Sequence, residues 1–351
     1  MLNGFSVTGT LTIFIVSAII TWFMGVTLAK ATDTLDTRYK LGEALGGLIL
    51  LGIACSLSEI AVVFSAAVNN HIPVIFGVIL GGITIRTLSL ALLDLVVSKK
   101  RPLSYLAGSP ILFIETSFAM ILAVIAFFGA FIPQKNALFG INPLSIALVV
   151  GYVAGLFIIN KIRRKPNLNE TNQDALPGRY HHERRAVENH KFFANKSNAY
   201  IIAIFIIAAI ISLAAGTVLE ASGAKIAGHF SIGTGIFAAT AIAIVTSLPE
   251  ISSAFESIMI GDNHLAVSDI MGGNAFMLTI FFIADLIYGK PILSFATRAD
   301  TYLAILGIAM IGIYAISFIS SHRQRYLRLG VDSITEIIVY GAGTYLVKII
   351  K

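Results

Sequence analysis

Two glutamates sit where a carboxylate is costly. Glu59 lies in "GIACSLSEIAVVFSAAVNNH" (Gly52 to His71) and Glu250 in "AIVTSLPEISSAFESIMIGD" (Ala243 to Asp262), each inside a strongly apolar stretch. An ionisable group at membrane depth costs several kcal/mol and marks a functional site by default. The stretch "TSLPE" (Thr246 to Glu250) puts a proline inside a helix, which removes one backbone hydrogen bond and frees a carbonyl about four residues earlier. Carbonyls, hydroxyls and a carboxylate are hard oxygen ligands, suited to calcium, sodium or protons. Thr246 and Ser247 fall about one turn before Glu250, so all three can face one site. In the first stretch Cys55, Ser56 and Ser58 take these places, with a thiol and no proline. The plainer alternative is a pair of buried structural acids.

The elements that position these groups are membrane helices. The 351-residue chain is 56% hydrophobic and 13% charged, against about 25% charged for a soluble domain, and its mean hydropathy is +0.85. Apolar runs near 8–30, 41–69, 73–98, 106–133, 142–162, 198–220, 230–260, 264–288, 299–320 and 331–350 predict ten transmembrane helices in an all-α integral membrane protein. The run Leu11 to Ala29 is too long and too weakly basic at its start for a cleaved signal peptide. A single cysteine, Cys55, excludes an intrachain disulfide and a cysteine-based zinc site. The net charge of +6 is concentrated in loops and reads as topology, not as nucleic-acid binding. There is no P-loop and no catalytic triad, so neither ATP-driven transport nor an enzyme is indicated, and no cofactor is expected beyond transported cations.

Between the fifth and sixth runs, Lys161 to Lys196 holds nine Lys/Arg, four Asp/Glu and two prolines, a solvated tether and topology signal. Three units follow: residues 1–162, a linker over 163–197, and residues 198–351. Basic residues at Lys99, Lys100 and Arg101, at "HRQRYLR" (His322 to Arg328) and in the linker fall on one side. The loops "NNHIP" (Asn69 to Pro73) and "EASGAK" (Glu220 to Lys225) fall on the other, nearly uncharged. The positive-inside rule then puts the linker in the cytoplasm and both termini outside. Short loops point to a prokaryotic inner (plasma) membrane.

The two halves repeat. An offset of 191 aligns Leu51–Val96 with Ile242–Ile287, with 11 of 46 positions identical and no gap. Ser56 pairs with Ser247, Glu59 with Glu250, Gly81 and Gly82 with Gly272 and Gly273, Asp94 with Asp285, and upstream Gly42 with Gly233. Five spans is an odd number, so the second half enters from the opposite side. Two inverted five-helix repeats result, a plan that places a transporter's site at the midplane. The paired glycines allow close helix approach.

"TSLPE", followed 22 residues after its glutamate by a glycine in a small-residue pair, resembles the alpha-repeat of the sodium/calcium exchanger family, within the calcium/cation antiporter superfamily. The resemblance spans essentially the whole chain. It implies that Glu59 and Glu250 are central cation ligands, and that Thr246, Ser247 and Ser56 supply further oxygens. The departures are large. The family's "GN" reads Gly77-Val78 and Ser268-Asp269, its serine is Gly82 and Gly273, and its later polar residue is Arg86 in one repeat and Met277 in the other. Arg86 near mid-span is the sharpest of these: in the site it is a fixed cation paired with Glu59 or Glu250, and elsewhere it is a structural ion pair or a snorkelling side chain. Two carboxylates and one guanidinium leave a net charge of −1, a poor match for a divalent ion unless Asp269 joins.

Glu256 reads as a solvated helix end, Asp94 and Asp285 as cap or interface residues whose symmetry leaves a gating role open, and His71 and His264 as loop residues. The function expected is secondary active cation antiport, calcium against sodium or protons, by alternating access in a lipid bilayer. Two alternatives remain open: a monovalent cation/proton exchanger with Arg86 as a tethered cation, and a transport-inactive membrane scaffold. The sequence leaves the ion pair and the oligomeric state open.

Overall fold

A computed structural model describes residues 6–39, 51–97, 101–163, 193, 196–320, 325–326 and 328–349. Helices dominate: α1 Val7–Tyr39, α2 Leu51–Cys55, α3 Leu57–Val68, α4 Ile72–Leu93, α5 Leu103–Ala107, α6 Pro110–Gly129, α7 Pro143–Arg163, α8 Asn198–His229, α9 Thr234–Met259, α10 Asn263–Tyr288, α11 Arg298–Ser320 and α12 Val331–Ile349. Among the described residues, eight of them (α1, α4, α6, α7, α8, α9, α10 and α11) are long and apolar enough to cross a membrane. The expected second span is the broken helix α2–α3; its start, with Gly42, lies outside the described residues, as do residues 164–192 of the linker. The expected tenth span, α12, carries Asp332 and Glu336 among its apolar residues.

Burial sorts the helices. The hydrophobic window of α4 is 94% buried and that of α10 67%, whereas those of α1, α7 and α8 are 28% buried. A helix apolar all round and buried all round is a core element, so α4 and α10 form the centre and α1, α7 and α8 the rim. Start signals are explicit. Proline opens α6 and α7 and stands second in α4, where its missing N–H costs nothing. Ser109, Ser197 and Asp262 cap their helices by accepting from the amides of Leu112, Tyr200 and Leu265.

The internal repeat reappears as contacts between glycines and the facing helices. A Cβ on Gly25 of α1 would overlap the ring of Pro249 in α9, and one on Gly216 of α8 would lie 2.6 Å from Ala61 Cβ and 2.9 Å from the Ser58 carbonyl in α3. Gly25 and Gly216, like Ser58 and Pro249, are 191 residues apart, so both rim helices cross a glutamate-bearing helix at the same register. The two aspartates match in the same way. Asp94 accepts from the amides of Leu103 (2.7 Å) and Gly330 (2.7 Å), and Asp285 from those of Ile292 (2.6 Å) and Asn142 (2.9 Å). Each ties the end of a core helix to the chain entering another, an anchoring role in agreement with a cap or interface residue.

Three elements depart from the sequence reading. The sixth span extends beyond residue 220, because α8 runs to His229, so Glu220 and Lys225 are helical and "EASGAK" is not a loop. Part of the basic stretch before α12 forms a two-strand ladder, Arg325–Tyr326 with Leu329–Gly330. A π-helical segment, Ala238–Ile242, lies within the first half of α9. It packs on α4, where Gly81 leaves room for the backbone of Ala239 and Gly77 for Ala238. Gly81 therefore has the close-packing role expected of it. Gly272 does not, since a Cβ there meets nothing within 4 Å. The two positions separate in a stability measurement: Gly81→Leu overpacks the core and costs about 1–3 kcal/mol or more, whereas Gly272→Ala leaves the unfolding midpoint in detergent within experimental error of the parent.

Candidate functional site

Glu59, Arg86 and Glu250 meet at the centre. Arg86 is 0% exposed, Glu59 0% and Glu250 6%. One guanidinium nitrogen, Nη2 of Arg86, donates to Glu59 Oε1 at 2.6 Å and to Glu250 Oε1 at 2.7 Å. Both protons of that amino group are thereby spent, one on each repeat. Helices α3, α4 and α9 deliver the three side chains, and the offset of 191 that pairs the glutamates makes the arginine the odd member, since its counterpart is Met277. Charge-assisted bonds of this length are the strong class, and a planar guanidinium is suited to two carboxylates.

The remaining polar atoms of the trio are only partly satisfied. Ser58 Oγ donates to Glu59 Oε2 at 3.2 Å, and Ser56 Oγ to Glu250 Oε1 at 3.4 Å. Among the described residues, Arg86 Nε and Nη1, Glu250 Oε2, Ser247 Oγ and Asn274 Oδ1 are buried without a hydrogen-bond partner. Buried polar groups are ordinarily paired, so this set is chemically open: two acceptors and a hydroxyl for a cation or water, and two guanidinium nitrogens for an acceptor. Asn274 Nδ2 donates to Thr87 Oγ1 at 3.0 Å and so ties α10 to α4 beside Arg86.

Four departures from the exchanger pattern form two packed pairs. A Cβ on Gly273 would lie 3.2 Å from Arg86 Nη1, and one on Gly82 would lie 3.2 Å from Met277 Cε. Each pair joins one repeat to the other, and the offset of 191 turns one pair into the other. Glycine replaces serine at both positions where a long side chain arrives from the opposite repeat. Gly82 and Gly273 are thus small to admit Met277 and Arg86, which is tighter in meaning than general helix packing.

Not every expected ligand joins the cluster. Ser56 and Ser247 line it. Thr246 is buried but spends its hydroxyl on the carbonyl of Ala243 at 3.4 Å. Asp269 is half-buried and accepts from Ser253 Oγ at 3.1 Å, one turn beyond Glu250. Glu256 is half-buried. His71 is more than a loop residue, because its Nδ1 lies 2.6 Å from Oε1 of the buried Glu220, which also accepts from Ser65 Oγ at 2.8 Å. His264 Nε2 lies 3.0 Å from Ser109 Oγ. Glu115 on α6 was not singled out in the sequence. It is buried, accepts from Ser268 Oγ at 2.7 Å, and lines a cavity with Tyr152, Met271 and Gly272. The apolar run around it offered only a lone acid with no counterpart at the repeat offset.

Comparison with known proteins agrees with this architecture. Residues 200–347 match the sequence model of the sodium/calcium exchanger protein family. The chain is 33% identical over 92 residues to CaxA of Alkalimonas amylolytica, a stretch that is 26% of this chain and 29% of that relative's length. It is 25% identical over 269 residues, 76% of each chain, to the inner membrane protein YrbG of Escherichia coli. Among solved structures, the H+/Ca2+ exchanger CAX superposes with a TM-score of 0.65 at 12% identity, over 97% of this chain and 87% of that one. The sodium-calcium exchanger NCX_Mj does so with a TM-score of 0.57 at 15% identity, over 97% and 99%. The fold is the helical membrane fold of these exchangers.

The trio makes a sharp energetic prediction. Removing one partner of a buried charge pair costs about 3–5 kcal/mol, because it strands the other charge. Arg86→Met is expected to lose stability of that order in a denaturant titration in detergent. Removing all three charges (Glu59→Gln, Arg86→Met, Glu250→Gln) costs less than Arg86→Met alone. Additive losses would contradict a coupled trio.

Proposed function

We propose that this chain, a divergent relative of the sodium/calcium exchanger family, is a secondary active cation antiporter whose central site holds Arg86 as a tethered cation and exchanges monovalent cations or protons. The observation that carries the reading is the pair of short bonds from Arg86 Nη2 to Glu59 and Glu250. With both carboxylates ionised the trio carries a single net negative charge. A carboxylate site at net −1 suits a proton or a singly charged ion; a divalent ion would leave excess positive charge in a low-dielectric interior, which is costly.

In this mechanism the transported ion competes with the guanidinium for the same oxygens. Glu250 Oε2 and Ser247 Oγ accept the incoming ion first, since neither has another partner. Arg86 then shifts its hold toward Glu59, and no carboxylate is left uncompensated at any stage. Two inverted repeats of five spans, with residues 163–197 as a cytoplasmic linker and both termini outside, provide alternating access. The moving unit is α1 with α8. These helices pass the glutamate-bearing helices at Gly25 and Gly216, where the absence of a side chain lets them slide close to Pro249 and Ser58. The membrane is a prokaryotic inner membrane on this reading.

Calcium exchanged for sodium or protons is the second reading. Its support is that Arg86 is held through one nitrogen while Nε and Nη1 are unpartnered, so a modest swing of the guanidinium opens both carboxylates. Glu59, Glu250, Ser56 and Ser247 would then be the ligands, with Asp269 and Thr246 turning inward.

Reconstituted vesicles separate the readings. Under an outward proton or sodium gradient, the tethered-cation reading expects uptake of a monovalent cation and none of calcium; gradient-driven calcium uptake would establish the second reading instead. In either case Glu59→Gln and Glu250→Gln each abolish flux, while leaving Arg86 one carboxylate and the fold intact. Normal flux in both variants would remove the glutamates from the mechanism, and no flux of any cation in the parent would leave a scaffold.

A further inference from the structure

A second cluster of acids lies away from the trio, where α12 meets the end of α4. Asp94, at the end of α4, is 0% exposed and fully satisfied: it accepts from the amides of Leu103 and Gly330, and from Ser333 Oγ at 3.0 Å. Its neighbours are not. Glu336 is 0% exposed, and neither of its carboxylate oxygens has a partner among the described residues. Asp332, one turn earlier on α12, has Ser104 and the amide of Ser333 beside it, yet its Oδ2 is unpartnered. Residues four apart on a helix stand one above the other, with about 5–6 Å between their Cβ atoms, and Asp332 is the charged neighbour acting on Glu336. From the facing helix α11 comes Tyr314, 0% exposed, whose hydroxyl has Ser333 beside it and stands near Glu336, Asp332 and Asp94.

With both Glu336 oxygens and Asp332 Oδ2 unpartnered among the described residues, the cluster is physically incomplete. An unpaired ionised carboxylate in an apolar interior is expensive enough that it takes up a positive charge. The Asp94 oxygens are all occupied, so it is not one of the open ligands. The open groups are carboxylate and hydroxyl oxygens only, a hard donor set. We infer that Asp332, Glu336 and Tyr314 form a second cation site, separate from the Arg86 trio, that takes one hard monovalent cation, a proton or sodium. Asp332 and Glu336 supply the charge, and Tyr314 and Ser104 the neutral oxygens. Its occupant clamps α12 and α11 onto the end of α4, two turns from Arg86 on that same helix. The inference stands independently of the function proposed above.

Thermal unfolding of the purified full-length protein in detergent tests it. Sodium chloride replaces choline chloride at constant ionic strength in one series, and pH is varied without sodium in another. A cation bound only by the folded state raises apparent stability by mass action, so the unfolding temperature is expected to rise with sodium if the site takes sodium, or with falling pH alone if it takes a proton. Glu336→Gln flattens whichever response is present, and Glu59→Gln, which alters only the central trio, retains it. Tyr314→Phe, a smaller change, moves the midpoint of that response several-fold. A parent protein flat in both series overturns the inference. So does a response that Glu336→Gln and Tyr314→Phe leave unmoved, or one that disappears in Glu59→Gln, which would assign it to the trio.

Discussion

A single guanidinium set between two carboxylates constrains the rest of this molecule. None of the three charges is tolerable alone in an apolar interior, and their mutual neutralisation is what lets Glu59 and Glu250 sit at the core. The bond pair also joins the two halves, because Glu59 and Arg86 come from the first repeat and Glu250 from the second. Everything around it is arranged to keep that geometry. Gly273 leaves space for Arg86, Gly82 leaves the mirror space for Met277, and Gly77 and Gly81 bring α4 against the backbone of α9. The same glycines that depart from the exchanger pattern are those the arginine requires.

The chemistry follows from the same constraint. A site built from two carboxylates alone attracts a divalent ion; adding one permanent positive charge lowers the demand to a singly charged one. The change needs no new fold. It needs one long cationic side chain and room at the position it reaches. Among the described residues Glu250 Oε2, Ser247 Oγ and the Nε and Nη1 of Arg86 have no hydrogen-bond partner, so the guanidinium is held through Nη2.

Much of this was legible in the sequence because the signals were local and costly. Two glutamates in apolar runs, the proline of "TSLPE" and an offset of 191 singled out Glu59 and Glu250, which meet in the structure, and Arg86 at mid-span announced its own anomaly. Relations between repeats were hidden. Nothing along the chain says that Gly273 faces Arg86 or that Gly25 receives Pro249, since a lone glycine in a membrane helix has many uses. Glu220 was read as a loop residue because a short polar stretch resembles a turn, whereas the helix continues and buries it against His71 and Ser65. In the sequence, Asp332 and Glu336 are two acids near a helix start, where negative charge suits the dipole. Only the packing of α11 and α4 reveals that they are enclosed. Asp269 was drawn toward the site by the family pattern, but its helix face turns it to Ser253.

Calcium binding to Arg86→Asn, titrated beside the parent protein by calorimetry in detergent, tests the central claim most directly. If Arg86 is a tethered cation that holds the site at single negative charge, the parent shows no calcium heat and Arg86→Asn acquires a saturable calcium isotherm that Glu250→Gln removes. An identical isotherm in both proteins would contradict the account, because the arginine would then be a structural strut with no bearing on which ion the carboxylates accept.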